Sequence, residues 1–430
     1  MGSKSLEAQP QELNPATRTR RDFLRKSVAL AGGGTLAAAG AARAAPLAVQ
    51  PSSQGAGHVI EERAYGMPSK FEGHVARRRT DVFKNRQNWS DWSMTPLQHQ
   101  PGIITPNGLV FERHHAGTPD IDPRSHKLVI HGMVRQPLSF SMEDLVRYPS
   151  VSRFYFHECS GNGLTDWLKP ASSTVQQTHG LLSGVLWTGV PASILLEEAG
   201  IDPKGKWVLF EGADGSGHAR SVPMEKVLDD TIIAYGMNGE ALRPENGYPV
   251  RAVVPGWEGN TSVKWLRRLK VGDQPWHLRS ETARYTDPMP EGKWRQFSMV
   301  MECKSVITSP SGGQQLKKPG FHEVSGLAWS GAGKIRAVDV SFDGGRNWRE
   351  AVLEEPVMDK CLTRFKVGWN WSGAPAVLMS RAVDSTGYVQ PTVNDLRKTR
   401  AIVGFVQHNN VIQPWTVNAN GEVRNAIGQA

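Results

Sequence analysis

A strand that runs straight into a cysteine on a glycine- and asparagine-rich turn constrains this chain more than any other stretch. In Phe154-Tyr-Phe-His-Glu-Cys159-Ser-Gly-Asn-Gly163, Val151, Phe154 and Phe156 give strand-like spacing. The glycines let backbone approach a ligand closely, so one thiol is expected at the mouth of a sheet. A cysteine taken singly is more often a small buried residue. Its company elsewhere in the chain decides between the two readings.

From about residue 105 the pattern is globular. Lys127 to His131 alternates as a strand closed by Gly132, and Ser141 is placed as the N-cap of a helix with Asp144 at its third position. A short amphipathic helix is expected between Pro191 and Gly200. Strands are expected at Lys206 to Glu211, Thr231 to Tyr235, Pro249 to Val254 and Ser262 to Leu266, with a helix at Val222 to Asp229. Asn238-Gly239 is a tight turn. Strands and short helices mix without a regular βαβ repeat, which predicts an α+β fold. After about 297 the texture changes. Short strands at Val324 to Trp329, Ile335 to Phe342, Arg346 to Leu353, Arg364 to Trp371 and Ala376 to Val383 predict an immunoglobulin-like β-sandwich. The expected units are therefore a signal peptide over 1–44, an extended arm over 45–104, an α+β domain over 105–296 and the sandwich with its tail over 297–430.

The start of the chain reads as an address. Thr19-Arg-Arg-Asp-Phe-Leu-Arg-Lys26 precedes a modest Ala- and Gly-rich run and a small-x-small site at Ala42-Arg-Ala44. That pattern is a twin-arginine export signal, too short and glycine-rich to anchor in a bilayer. It serves proteins exported already folded, so the expected location is periplasmic and a complex cofactor is implied. Seven basic and three acidic side chains lie in the first 44 residues, so the net charge of +9 falls to +5 over the remainder. No nucleic-acid-binding motif accompanies that charge. Three cysteines are too few for a disulfide framework. Cys303 and Cys361 could pair or stay as buried thiols. No Cys-x-x-Cys-His occurs, so no covalent haem is expected in this chain.

An ordered set of motifs carries a family resemblance. The Cys159 turn, Gly184-Val-Leu-Trp-Thr-Gly189, Ile233-Ala-Tyr-Gly-Met-Asn-Gly239, Gly247-Tyr-Pro-Val-Arg-Ala-Val-Val-Pro255, Val263-Lys-Trp-Leu266, Ala328-Trp-Ser-Gly and Val338-Asp-Val-Ser-Phe-Asp-Gly-Gly345 follow in this order. Together they resemble the sulfite oxidase family of molybdopterin enzymes. Gly102 to His115 resembles the branch that oxidises sulfane sulfur in bacterial thiosulfate oxidation.

The resemblance implies one molybdenum–molybdopterin group per chain, with Cys159 as the protein's ligand to the metal. A soft thiolate suits that role. It implies that Arg251 and Lys264, beside Ser262 and Val263, hold the pterin phosphate, and that Asp214 binds pterin nitrogens. Phe111, Arg113, His114 and His115 match the segment wrapping the cofactor. Asn246 stands where sulfite-oxidising members commonly have histidine. Tyr285 is the expected donor to the reacting oxygen. Arg113, Trp187 and Arg397 are expected in the substrate pocket, with Arg400 a competitor for the last position. Leu164 departs from the family's Cys-x-Gly-Asn-Arg-Arg turn. Losing that guanidinium would cost a small dianion about 2–5 kcal/mol if buried. This points away from free sulfite and toward a persulfide on a partner protein; the alternative is a periplasmic sulfite dehydrogenase. The resemblance further implies homodimerisation through the sandwich and a separate c-type, dihaem cytochrome as electron acceptor, with no nucleic acid and no membrane span.

Overall fold

The Val151–Glu158 strand pairs antiparallel along its whole length with Leu182–Pro191, which pairs in turn with Ile232–Met237. Arg251–Val253 joins the same sheet through Ile232–Met237. The structure, a computed structural model, describes residues 68–79, 90–163, 173–400 and 408–427. The export signal expected over 1–44 and Leu164 lie outside the described residues, and the arm over 45–104 is described only in part. From Lys70 onward the chain forms one compact unit.

A second sheet runs Leu138–Phe140, Leu128–Gly132, Leu266–Gly272, Trp207–Gly212, Ala219–Pro223. Its only parallel pair joins Leu266–Gly272 to Leu128–Gly132. Between the two sheets Leu128, Ile130, Leu196, Phe210 and Leu269 are fully buried. Each such side chain contributes about 1.5–3 kcal/mol relative to exposure. The helices are short, and their ends follow local chemistry. Ser141 and Asp144 close a reciprocal capping box on Met142–Leu145. Ala192–Ala199 starts after Pro191 and stops at Gly200, whose φ is 70°. Asn238 and Gly239 both have positive φ, as a tight hairpin turn requires.

Within these first two sheets, two expectations change. Val222 belongs to the Ala219–Pro223 strand, and the helix begins only at Met224, because Val222 is held in register opposite Val208. Ser262 to Lys264 is not a strand. Trp265 takes a left-handed φ of 52°, and the segment curls against Arg251 before the strand starts at Leu266.

The later residues form two facing sheets. One runs Lys304–Ser309, Gly320–Trp329, Thr363–Trp371, Val352–Leu353; the other runs Arg349–Glu350, Ile335–Ser341, Ala376–Asp384, Trp415–Val417, Val423–Asn425. The strand expected at Arg346 to Leu353 is split. Arg349–Glu350 pairs in one sheet and Val352–Leu353 in the other, with buried Ala351 at the crossing. Trp329, Phe365 and Trp415 fill the sandwich core, and Phe156 and Leu182 of the earlier sheet pack into the same cluster. In the arm, Arg78–Arg79 pairs with Asp91–Met94, which pairs with Glu112–His114. Among the described residues no helix is long and apolar enough to cross a membrane.

Candidate active site

The Cys159 turn is built by local bonds. The Cys159 amide donates to the Leu181 carbonyl at 3.0 Å, and the Asn162 amide donates to the Cys159 carbonyl at 2.9 Å. The Asn162 side chain donates to the Glu158 carboxylate at 2.9 Å and accepts from the Leu181 amide at 3.1 Å. Cys159 is a free thiol, half-buried, on the wall of a cavity of ≈670 Å³ counted to its open mouth. Burial pushes its pKa up, and Arg113 opposes that shift. A thiolate there needs a positive partner such as a metal.

Besides Arg113, two cations share the same cavity. Arg251 is 2% exposed and donates to the carbonyls of Asn246 at 2.9 Å, Ser262 at 2.8 Å and Ala252 at 3.3 Å. Its guanidinium lies 4.9 Å from the centre of the Trp187 ring. Lys264 donates to the Glu245 carbonyl at 2.8 Å and sits 4.3 Å from the Trp265 ring centre. Gly247 lets the two converge: its φ is 111°, and a Cβ there would stand 3.1 Å from the Cβ atoms of both Arg251 and Lys264. Burial lowers Arg251 to about 9. Burial and then Arg251 lower Lys264 to about 7. Buried charges are normally paired. Among the described residues neither cation has a carboxylate within ion-pair distance. The side-chain amide oxygen of Asn246, Oδ1, is buried beside them with no hydrogen-bond partner. An anionic group bearing N–H donors fits this wall.

In the same lining, His115 follows the Glu112–His114 strand and reaches Tyr285. Its Nδ1 faces Arg113 Nη2 at 3.0 Å and Arg284 Nη1 at 3.2 Å. Guanidinium nitrogens only donate, so Nδ1 accepts and the ring proton sits on Nε2. Nε2 then donates to Tyr285 Oη at 3.1 Å, which leaves the phenol hydrogen for the cavity. Burial and then Arg113 hold His115 down at about 2, while burial and then Cys159 push Tyr285 up to about 12. The Tyr285 ring rests 5.2 Å from the buried Arg220 guanidinium.

Known proteins resemble this chain over most of its length. The family model described as "Oxidoreductase molybdopterin binding domain" covers residues 115–279, and "Mo-co oxidoreductase dimerisation domain" covers 295–414. The sulfite oxidase of Gallus gallus is 32% identical over 338 residues, covering 71% of this chain and 72% of that protein. The chain belongs to the sulfite oxidase family of molybdopterin enzymes. The resemblance read from the ordered motifs is borne out, as is an α+β domain followed by a dimerisation sandwich. The mitochondrial sulfite oxidase of Mus musculus is 31% identical over 343 residues, 73% of this chain and 62% of that protein. The chain thus spans about three fifths of the mouse relative. The solved sulfane dehydrogenase SoxCD of Paracoccus pantotrophus is similar at 46% identity and a TM-score of 0.85, over 88% of this chain and 97% of that one.

Most residues assigned from the family motifs meet in one cavity. Phe111, Arg113, His114, His115, Cys159, Asp214, Asn246, Arg251, Ser262, Val263, Lys264 and Tyr285 all line it. Asp214 accepts from the His218 amide at 3.2 Å and from the Ser216 hydroxyl. Two expected pocket residues stand elsewhere. Trp187 is fully buried behind the wall, where it supports Arg251 and meets His157 edge-on at 6.0 Å. Arg397 is exposed on the Val393–Thr399 helix, whose inward residue is Leu396. Arg400 is buried next to Glu302 at 3.9 Å and Met289 Sδ at 3.8 Å, also outside the cavity lining.

The sequence reading missed His157, His218, Asn260 and Trp265, which also line the cavity. His157 stacks on Phe111 with ring centres 5.2 Å apart. Its signal was available: a strand residue two before Cys159 points to the same face.

Proposed function

We propose that this chain is a molybdenum oxidoreductase that oxidises sulfane sulfur, presented as a persulfide on a carrier protein, in bacterial thiosulfate oxidation. A separate c-type cytochrome takes the electrons, and the protein works in the periplasm after folded export. The single observation that carries this reading is the 46% identity to a sulfane dehydrogenase across 97% of its chain. Leu164 supports it, because the family's sulfite-oxidising turn would place an arginine there.

When bound, the molybdenum–pterin group supplies two-electron oxygen-atom transfer. The chain's own residues hold and orient. Cys159 thiolate is the protein ligand to the metal, and Arg251 with Lys264 neutralises the pterin phosphate. Asp214 and the unpartnered Asn246 side-chain Oδ1 would accept pterin N–H groups. Tyr285, its oxygen already accepting from His115, donates its own hydrogen into the cavity where the sulfur reacts. Arg113, held beside His115, supplies positive charge at the same place.

Arg113 also favours a second reading, a sulfite dehydrogenase, since it lines the same cavity as Cys159. A paired assay separates the two. Molybdenum is quantified per chain, and cytochrome c reduction is compared between a persulfide-loaded carrier protein and free sulfite. One molybdenum per chain with turnover of the carrier alone supports the sulfane reading. Efficient sulfite turnover refutes it in favour of the second, and protein without molybdenum from a competent host refutes both.

A further inference from the structure

Behind the Cys159 turn, on the side away from the cavity, lies a buried charge cluster to which the proposed chemistry gives no part. Glu158 and Cys159 are consecutive, so their side chains leave the strand on opposite faces. Glu158 is fully buried and faces the sandwich. One carboxylate oxygen accepts from Lys304 Nζ at 3.2 Å and from Asn162 Nδ2 at 2.9 Å; the other accepts from the Trp329 indole N–H at 2.6 Å. Lys304 and Trp329 are cross-strand partners in the sandwich, and the ammonium lies 5.8 Å from the indole ring. Lys304 is 2% exposed and also reaches the Asn162 carbonyl at 3.5 Å. One ammonium therefore bonds the residue before Cys159 and the residue three after it.

Three donors converge on its two oxygens and hold the side chain from both sides. A buried ion pair is weak evidence for stability, because an apolar pair of similar volume often serves as well. What this cluster supplies is direction. It fixes both ends of the turn against strands whose positions the sandwich core sets.

We infer that Glu158, gripped by Lys304 and Trp329, is a positioning residue through which the sandwich domain sets the direction of the Cys159 thiolate toward the metal. The inference rests on the molybdenum reading of the cavity. It makes the second domain part of the site's construction as well as a surface for pairing subunits. A small error in ligand direction is costly in such a site, since geometry is most of what the protein contributes.

The test uses the molybdenum-loaded enzyme. Trp329→Phe removes the indole N–H and keeps an aromatic ring beside Lys304. Trp415→Phe is the control: its indole donates to the Ile307 carbonyl at 3.1 Å, so it deletes the same kind of bond in the same domain, away from the Cys159 turn. Both variants are expected to unfold at lower temperature. Trp329→Phe alone is expected to shift the thiolate-to-molybdenum absorption band and lower kcat about threefold to tenfold with KM unchanged. If Trp329→Phe does not accumulate as folded holoenzyme, Glu158→Gln enters the same comparison. A band and kcat equal to those of Trp415→Phe, in fully loaded protein, overturn the inference and leave the molybdenum reading intact. Wild-type protein without molybdenum overturns that reading instead.

Discussion

In the cofactor-free protein, burial and the nearby Arg251 bring the Lys264 ammonium down from 10.5 to about 7. The unfolded chain keeps the same proton up to its ordinary value. Between about pH 7 and pH 10.5 the unfolded state thus binds more protons, and stability rises with pH across that window. The shift corresponds to roughly 5 kcal/mol, of which about 4 kcal/mol is felt at pH 7 and about 1 kcal/mol at pH 9.5. Lys264→Met removes the ammonium and keeps an unbranched apolar stem against Trp265. It forfeits the hydrogen bond to the Glu245 carbonyl, worth about 1 kcal/mol. The cofactor-free variant should therefore gain about 3 kcal/mol at pH 7, and little at pH 9.5. The loaded protein should move the other way. Losing one desolvated cation against the phosphate costs about 2–5 kcal/mol, or cofactor retention weaker by about 30-fold to several thousand-fold. Urea unfolding of cofactor-free protein at both pH values, with molybdenum per chain after gel filtration, reads both effects. A cofactor-free Lys264→Met that is less stable than wild type at pH 7, or whose gain ignores pH, would refute the claim that this ammonium awaits an anion.

Other substitutions probe single roles. Cys159→Ser exchanges a soft thiolate for a poor alkoxide ligand, so folded protein is expected with turnover down by about 100-fold or more, read with molybdenum per chain. Tyr285→Phe keeps the ring on Arg220 and should lower kcat about 10- to 100-fold with little change in melting temperature. His115→Gln can still accept from Arg113 and donate to Tyr285, so it should retain more turnover than His115→Leu. Because His115 stays neutral down to about 2, its protonation should contribute no limb to the pH–rate profile between pH 5 and 8. Arg397→Ala should leave kcat/KM unchanged, since that side chain stands in solvent outside the cavity lining.

Legibility in the sequence followed the range of the interaction that fixes each residue. The Cys159 turn, the Ser141 cap and the Asn238-Gly239 hairpin are settled within a few residues, and all were readable. Ser262 to Lys264 has the apolar texture of a strand, but its path is set by the Arg251 guanidinium reaching the Ser262 carbonyl, a bond between segments. The same limit explains Arg397 and Trp187. An arginine near the end of the chain can be aligned to a pocket by motif, whereas its exposure depends on Leu396 taking the inward face of that helix.

The deeper reason is that burial reverses what a charge means. In a sequence, Glu158, Lys304, Arg251 and Lys264 are ordinary charged residues whose default place is water. In the fold all four are drawn in from solvent, and they divide into two kinds. Glu158 and Lys304 satisfy each other, and that closed pair anchors a turn. Arg251 and Lys264 bond only neutral groups, and their depressed pKa values express the missing partner. A closed buried pair is spent on structure, whereas an open one is a demand for a ligand of opposite sign. That distinction separates the back of the Cys159 turn from the wall in front of it. It depends on distances across 146 residues of chain for Glu158 and Lys304, so no local pattern could carry it.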